Sequence, residues 1–371
     1  MTEFSAIQAA TADIFNMYSH YDDIGAYNSK ESPYFSWYKF INWPDEYHSW
    51  WGIKLLPEVI EEDEGYRNYI CGENGILKKW LRCGIAGYRL DVADELPDIF
   101  LDDLRKSVKS ENENAIIIGE VWEDATNKFA YGQRRKYLLG EELDSVMNYP
   151  FADAILNFVR YANGNAFSTA VLSIIENYPP QVLNVLMNHI GTHDTERAIT
   201  RLAGENPDGH DRAWQFEHNT LSEFDYLKGI SMMKIASLIQ FTLPGVPSIY
   251  YGDEIGMQGM KDPFNRGCMP WDKPNEELLK WYKRLGQIRH SSKAFIDGDF
   301  EKLYCDGGVI AYSRSSEGDN ILVAINNSNE QKRIFVGTQW DNSYSLFDEK
   351  SVDGFVNLPP YRYTLLSKKE Y

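Results

Sequence analysis

Short apolar runs alternate with helical patterns along the middle of the chain, from about residue 65 to residue 290. The strongest run, residues 115–121, contains three consecutive isoleucines and predicts a strand that is buried on both faces. Helical patterns at residues 66–82, 98–109 and 276–290 predict helices, and further apolar runs at residues 86–92 and 182–187 predict strands. Parallel strands need such crossover helices between them, so the alternation predicts an α/β fold built from βα units around a parallel sheet.

The pattern changes on both sides of this region. Residues 1–64 have little periodicity and many aromatic residues, which predicts a loop-rich subdomain. Residues 293–371 contain short alternating segments, which predict an all-β C-terminal domain with antiparallel strands. We therefore expect three segments, with the α/β segment at residues 65–292 between them.

Charge and hydropathy limit the partners of the chain. A net charge of -18 argues against nucleic acid, because binding a phosphate backbone requires a basic surface. The most apolar stretch, residues 235–250, is interrupted by Gln240, Pro244, Gly245 and Pro247, and no leader pattern opens the chain. We expect no nucleic acid partner and no membrane span.

Cysteine and histidine spacings bear on compartment and metal binding. The four cysteines show no CxxC spacing, which is typical of free thiols in a reducing compartment and predicts a cytoplasmic protein. The seven histidines show no spacing typical of metal ligands, so we expect neither a metal ion nor a cofactor.

Two acidic residues follow predicted neighbouring strands. Successive strand side chains point to opposite sides, so Arg89 and Asp91 share one face, and the guanidinium favours the ionised carboxylate that a nucleophile needs. Glu120 continues the inward row of Ile116 and Ile118, and burial there favours the protonated form that a general acid needs.

A third acidic residue, Asp194, follows His193 in a loop beyond a later predicted strand. Asp194 can stabilise an oxocarbenium-like transition state, and His193 can hydrogen-bond a sugar hydroxyl. Two carboxyl groups about 5 Å apart on either side of a glycosidic bond characterise a retaining glycosidase. The carboxyl ends of parallel strands are where such α/β folds place their sites, so we expect Asp91, Glu120 and Asp194 around one sugar-sized hollow.

Each of these residues taken alone has a simpler interpretation. Single carboxylates are usually solvated charges or helix caps, Arg89 with Asp91 can be a structural ion pair, and His193 can be an ordinary loop residue. The conjunction of three carboxyls at strand ends favours a site. The aromatic cluster at residues 34–51 suits either sugar stacking or a subdomain core, and the core is favoured, which leaves Trp122 as the better candidate for a cleft wall.

The chain resembles the α-amylase family of glycosidases, glycoside hydrolase family 13, and most closely its neopullulanase, cyclomaltodextrinase and maltogenic amylase branch. The matching segments are WWGIK (50–54), GYRLDVADELP (87–97), GEVW (119–122), VMNYPF (146–151), THDTER (192–197) and the run 245–272, which goes from GVPSIYYGDE (245–254) to CMPWD (268–272). The resemblance implies that Asp91 is the nucleophile, Glu120 the general acid/base and Asp194 the transition-state stabiliser. It also implies that Arg89 and His193 line the sugar subsite at the cleavage point, and that the substrate is a maltooligosaccharide or cyclodextrin.

The chain departs from the family pattern in two places. Typical α-amylases have Lys-His three and four residues after the nucleophile, where this chain has Asp94 and Glu95, which makes these two poor candidates for sugar contacts. The family builds a (β/α)8 TIM barrel with an inserted subdomain after the third strand, and this chain begins at about the end of that strand, with Phe4, Ser5 and Ala6 as its remnant. The resemblance therefore implies an incomplete barrel of strands 4 to 8, an irregular inserted subdomain before it and a C-terminal antiparallel β-sandwich.

An incomplete barrel has open parallel edges, which cost stability. We expect self-association, a complementing N-terminal chain, or repacking of residues 1–60 over the gap. Three functions stay open. The first is a glycoside hydrolase that cleaves α-1,4-glucosidic bonds of maltodextrins or cyclodextrins, with weak or absent activity of the isolated chain as one outcome. The second is a catalytically impaired carbohydrate-binding fragment, and the third is a non-enzymatic interaction module.

Overall fold

The computed structural model describes residues 2–3, 15, 24–347 and 351–369. The chain forms two compact units, Met1–Met147 and Asn148–Tyr371. The predicted division at residues 64 and 292 stays a prediction. Residues 4–6, the predicted strand remnant, lie outside the described residues.

The first unit contains a parallel sheet and two hairpins. The strands of this unit, in chain order, are β1 (Thr2–Glu3), β2 (Phe40–Asn42), β3 (Glu46–Tyr47), β4 (Gly87–Leu90), β5 (Ile116–Gly119), β6 (Phe129–Ala130), β7 (Gln133–Arg134) and β8 (Ser145–Val146). The parallel sheet has the order β1-β4-β5-β8, while β2 pairs with β3 and β6 with β7 in antiparallel hairpins. The predicted parallel arrangement of the strands at residues 86–92 and 115–121 is confirmed.

The register between β4 and β5 places two of the predicted site residues side by side. Leu90 pairs with Gly119, so Asp91 and Glu120 are the next residue on each strand. Gly119 is required by close packing, because a Cβ there would lie 2.5 Å from Leu143 Cδ1 and 3.2 Å from Ala93 Cβ.

Three helices of the first unit cover this sheet in sequence. They are Glu64–Cys71, Ile76–Arg82 and Asp98–Glu111. The prediction of one helix over residues 66–82 is wrong, because the chain leaves the helix at Gly72 and re-enters it after Gly75, both in extended conformation. Asp98–Glu111 forms as predicted and buries Phe100, Leu101, Leu104, Ser107 and Val108.

Part of the aromatic cluster at residues 34–51 is buried, including Trp37 and Tyr38, whereas Trp51 is 76% exposed. Phe15 packs against Tyr38 and Tyr47 with ring centroids 4.8 and 4.6 Å apart, and Trp37 packs against Tyr66 at 5.6 Å. These contacts favour the core interpretation.

Helices dominate the first half of the second unit. They are Tyr149–Tyr161, Gly164–Asn177, Pro180–Leu183, Ala198–Ala203, Arg212–Glu217, Glu223–Thr242, Glu276–His290 and Ala294–Asp297. Two short strands, β9 (Met187–Asn188) and β10 (Val246–Pro247), pair in parallel. The predicted strand over residues 182–187 is wrong except at Met187, because Pro180 begins a helical turn that continues to Leu183 and β9 begins only at Met187. No helix among the described residues is long and apolar enough to cross a membrane.

The chain ends in antiparallel β-structure, as predicted. The strands are β11 (Asp299–Asp306), β12 (Val309–Ser316), β13 (Asp319–Asn326), β14 (Lys332–Phe335), β15 (Ser343–Ser345), β16 (Ser351–Val352), β17 (Phe355–Leu358) and β18 (Arg362–Lys369). Six of them form one sheet in the order β11-β12-β13-β18-β15-β16, and β14 pairs with β17. A buried cluster that includes Leu322, Ile334, Trp340 and Val356 joins the two sheets.

Candidate active site

The ends of β4 and β5 carry two carboxylates that are linked by one arginine. Arg89 Nη1 donates to Asp91 Oδ1, and Arg89 Nη2 lies 3.2 Å from Glu120 Oε2. The Arg89 side chain is only 5% exposed, and its Nε faces Met147 Sδ at 3.4 Å. A buried guanidinium with two carboxylate partners has its charge compensated locally and holds both groups in a fixed orientation.

Glu120 has two further donors around its carboxyl group. The backbone N–H of Val92 donates to Oε2 at 2.7 Å, and Trp122 Nε1 donates to Oε1 at 3.1 Å. The Glu120 side chain is buried, whereas Trp122 is 48% exposed. The apolar surroundings expected from the isoleucines are therefore incomplete, since three N–H groups face this carboxyl.

Val92 occupies an unusual backbone conformation beside the two carboxylates. Its φ is 37° and its ψ 57°, in the left-handed region that a β-branched residue rarely adopts. The turn that follows, Ala93–Glu95, is a single 3-10 turn. Strained backbone of this kind persists where surrounding contacts hold it, here the bond from Val92 N–H to Glu120.

Asp94, the residue that stands where typical α-amylases have lysine, is occupied by contacts within the protein. Lys128 Nζ lies 2.9 Å from its Oδ2, and the Tyr137 hydroxyl donates to its Oδ1 at 2.6 Å. Trp51 Nε1 donates to the neighbouring Glu95 at 3.3 Å, and a hydrogen bond to Glu95 raises the pKa of Tyr131 to about 12. These contacts favour the expectation that Asp94 and Glu95 are not the usual sugar contacts.

The other two predicted site residues lie together in the second unit. His193 Nε2 is 3.3 Å from Asp194 Oδ2, and both side chains are about a quarter exposed, at 27% and 28%. The Thr192 hydroxyl accepts from the Asp194 N–H at 3.2 Å, which closes a short turn. Gly191 leaves room for a buried neighbour, because a Cβ there would lie 2.5 Å from Asp253 Oδ2.

Two residues that sequence reasoning missed contact the same loop. Asn265 Nδ2 donates to the carbonyl oxygens of His193 and Thr195, and Arg266 Nη2 lies 3.5 Å from Asp194 Oδ1. Both belong to the 3-10 turn Phe264–Arg266, some 70 residues further along the chain. The family-like run at residues 245–272 spans this turn, but no periodicity singled out these two residues in the sequence.

Among the described residues, no group of three or more His, Cys, Asp or Glu side chains is arranged to hold a metal ion. All four cysteines are free thiols; they are Cys71, Cys83, Cys268 and Cys305. The structure thus brings Arg89, Asp91, Glu120 and Trp122 together in the first unit, and His193 and Asp194 together in the second.

Comparisons with known proteins identify the family of the chain. The Alpha-amylase family model, described as "Alpha amylase, catalytic domain", matches residues 16–342. A cyclomaltodextrinase of Thermoanaerobacter pseudethanolicus is 33% identical over 321 residues, which are 83% of this chain and 50% of the relative. A neopullulanase 2 of Thermoactinomyces vulgaris is 30% identical over 290 residues, which are 76% of this chain and 43% of the relative.

A solved structure of a cyclomaltodextrinase superposes with a TM-score of 0.76 at 30% identity, and the match covers 92% of this chain and 56% of that one. The chain spans half or less of the length of the two curated relatives. A family match over most of the chain nonetheless decides its membership. The chain belongs to the alpha-amylase family of glycosidases, which are hydrolases that act on glycosyl bonds.

Proposed function

We propose that this chain cleaves α-1,4-glucosidic bonds with retention of configuration, with Asp91 as nucleophile, Glu120 as general acid/base and Asp194 as transition-state stabiliser. The observation that carries the proposal is the buried Arg89, which contacts the carboxylates at the ends of two adjacent parallel strands. Two carboxyl groups that contact one guanidinium lie close together, and a short separation favours retention over inversion.

The reaction has two steps. In the first, an oxygen of Asp91 attacks the anomeric carbon, the bond to the glycosidic oxygen breaks, and that oxygen takes a proton from Glu120. In the second, water gives a proton to Glu120, its oxygen bonds to the anomeric carbon, and Asp91 leaves as carboxylate. Arg89 orients the carboxyl group of Asp91 for the attack.

The other site residues act on the sugar. His193 and the exposed indole of Trp122 carry groups that bind sugars, a ring N–H and an aromatic face. Maltooligosaccharides and cyclodextrins are the proposed substrates, in line with the names of the relatives. A cytoplasmic location and the absence of a cofactor stay predictions.

We propose further that β4, β5 and β8 correspond to strands 4 to 6 of the family's (β/α)8 barrel, and β9 and β10 to strands 7 and 8. The parallel pairing of β4 with β5, of β5 with β8 and of β9 with β10 supports this. Strand β1, which pairs in parallel with β4, takes the place of the end of strand 3. Strand β1 is the last strand at its edge of the described sheet, so its open side can pair with a second copy or with another chain. This association stays part of the proposal, and light scattering tests it.

Release of reducing ends from maltotriose and β-cyclodextrin tests the function. Asp91→Asn and Glu120→Gln should each lower kcat by at least about a thousandfold, since each removes a group that takes part in bond making or breaking. Asp208→Asn is the matched control, because this exposed aspartate pairs with a surface lysine, Lys261, and has no proposed role in the reaction.

Calorimetry on the same samples separates the alternatives. Maltotriose binding without turnover by the unaltered chain would select the impaired carbohydrate-binding fragment. Absence of both binding and turnover would select the interaction module.

A further inference from the structure

Asn265 holds the backbone on both sides of Asp194. Its side chain is fully buried, and its Nδ2 donates to the carbonyl oxygens of His193 and Thr195, each at 2.7 Å. These are the residues that flank Asp194 in the sequence. One amide group therefore fixes the peptide before Asp194 and the peptide that follows Thr195.

The orientation of this amide is unambiguous. A flipped side chain would point Oδ1 at two carbonyl oxygens, so only the observed orientation forms hydrogen bonds. Oδ1 itself is buried and has no hydrogen-bond partner among the described residues. An unsatisfied buried acceptor costs stability, so this arrangement is better explained by what the Nδ2 group holds than by a net gain in folding free energy.

Asn265 is itself anchored by a buried arginine. Arg197 Nε donates to the Asn265 carbonyl oxygen at 2.8 Å, and Arg197 Nη1 donates to the Tyr251 carbonyl oxygen. The same guanidinium lies 3.5 Å from Asp253 Oδ1 and 4.1 Å from the centre of the Tyr250 ring. Arg197 is fully buried, so the turn that carries Asn265 has little freedom to shift.

Arg266 adds a direct contact to the carboxylate. Its Nε donates to the His193 carbonyl oxygen at 3.0 Å, and its Nη2 lies 3.5 Å from Asp194 Oδ1. The side chain is 44% exposed, in contrast to Asn265. It can therefore be changed with little effect on folding.

We propose that Asn265 and Arg266 are positioning residues that fix the carboxylate of Asp194 in the orientation needed to stabilise the transition state, an inference that rests on the proposed function of Asp194. Stabilisation of a transition state depends on groups that are held in place before the reaction, and a displacement of 1 Å can cost about a hundredfold in rate. Loss of either residue should therefore lower kcat and leave KM nearly unchanged.

Kinetics of two pairs of variants test the proposal. Arg266→Ala should lower kcat for maltotriose about tenfold or more per folded molecule, and millimolar guanidinium should restore part of this kcat. The control is Arg212→Ala, which removes an exposed arginine of the same unit and should change neither kcat nor KM. Asn265→Asp keeps the shape but loses the donors, and should lower kcat about a hundredfold. Its isosteric control is Asn219→Asp, because Asn219 uses Oδ1 to accept from Met260 N–H and keeps that bond as aspartate.

The outcomes separate this inference from the function on which it rests. Turnover by the unaltered chain together with an unchanged kcat in Arg266→Ala would overturn the positioning role alone, even if Asn265→Asp failed to fold. A raised KM at constant kcat, or a loss that guanidinium does not reverse, would also contradict it. An unaltered chain without turnover would overturn both proposals.

Discussion

The carboxyl group of Glu120 accepts a hydrogen bond from the backbone N–H of Val92, with Oε2 and N 2.7 Å apart. Val92 directly follows Asp91, so the proposed acid/base holds the turn that carries the proposed nucleophile. This bond and the contacts of Arg89 couple the positions of the two carboxylates. A change at either strand end should therefore affect both.

Because Val92 has a left-handed conformation, a glycine variant at this position should be more stable than an alanine variant, which is the reverse of the usual order. At its φ of 37°, a Cβ is strained, and glycine relieves that strain. We expect Val92→Gly to have a free energy of unfolding about 1 kcal/mol higher than that of Val92→Ala, measured by urea unfolding.

Val246 in β10 provides the control for this comparison. It is a partly exposed valine whose backbone lies in a strand, where alanine should be more stable than glycine by about 0.5 to 1 kcal/mol. An alanine variant at position 92 that is as stable as the glycine variant, or more so, would contradict the strain that the backbone angle indicates.

The hydrogen bond from Trp122 to Glu120 should matter most for substrates with poor leaving groups. Trp122→Phe keeps an aromatic face but loses the donor at 3.1 Å from Oε1. We expect kcat/KM for maltotriose to fall about tenfold. Glu120 becomes a carboxylate as it gives up its proton, and a hydrogen bond to a charged group is worth about 1.5 to 3 kcal/mol. For α-maltosyl fluoride, whose leaving group needs little protonation, kcat/KM should fall much less.

Trp51→Phe is the matched control, since the Trp51 indole donates to Glu95, a carboxylate with no proposed catalytic role. Equal losses for the two substrates in Trp122→Phe would count against Glu120 as the proton donor.

Glu142 should make the protein less stable as the pH rises. Its side chain is 1% exposed, and neither carboxyl oxygen has a hydrogen-bond partner among the described residues. Burial, and next the nearby charge of Asp98, raise the pKa of Glu142 to about 7. The folded protein therefore holds a proton that the unfolded chain releases near pH 4 to 5, and the free energy of unfolding falls from there up to about pH 7.

Glu142→Gln should remove this part of the pH dependence. The free energy of unfolding of the variant should exceed that of the unaltered protein by on the order of 1 to 3 kcal/mol at pH 8, and the two values should match near pH 4. Burial also raises the pKa values of Glu61 and Asp253 to about 7, so some dependence of the same sign will remain. The control is Glu141→Gln, at the exposed neighbour of Glu142. If the free energy of unfolding of the two variants depended on pH in the same way, Glu142 would not be held protonated.

The sequence was most informative where a local pattern decides the structure. The alternation of Arg89 and Asp91 along a strand correctly predicted that the two side chains meet. The helix Glu276–His290 has the predicted ends, because Asn275 caps its first turn by accepting from Leu278 N–H and acidic residues follow the cap.

The sequence was least informative where distant contacts decide the structure. The break after Cys71 depends on glycines whose Cβ atoms would clash with nearby backbone oxygens, although the helical periodicity runs on through them. Asn265 lies in a single turn with no periodicity, and its partners are about 70 residues away. The donors around Glu120 include a backbone N–H, which no side-chain pattern can indicate.

The most direct measurement is to trap the glycosyl-enzyme with a 2-deoxy-2-fluoro-maltosyl fluoride and locate the label by peptide mass spectrometry. We expect one fluoromaltosyl group per chain, on the peptide that contains Asp91, and no labelling of Asp91→Asn. A label on another carboxylate, or turnover of maltotriose by Asp91→Asn at the rate of the unaltered chain, would contradict it.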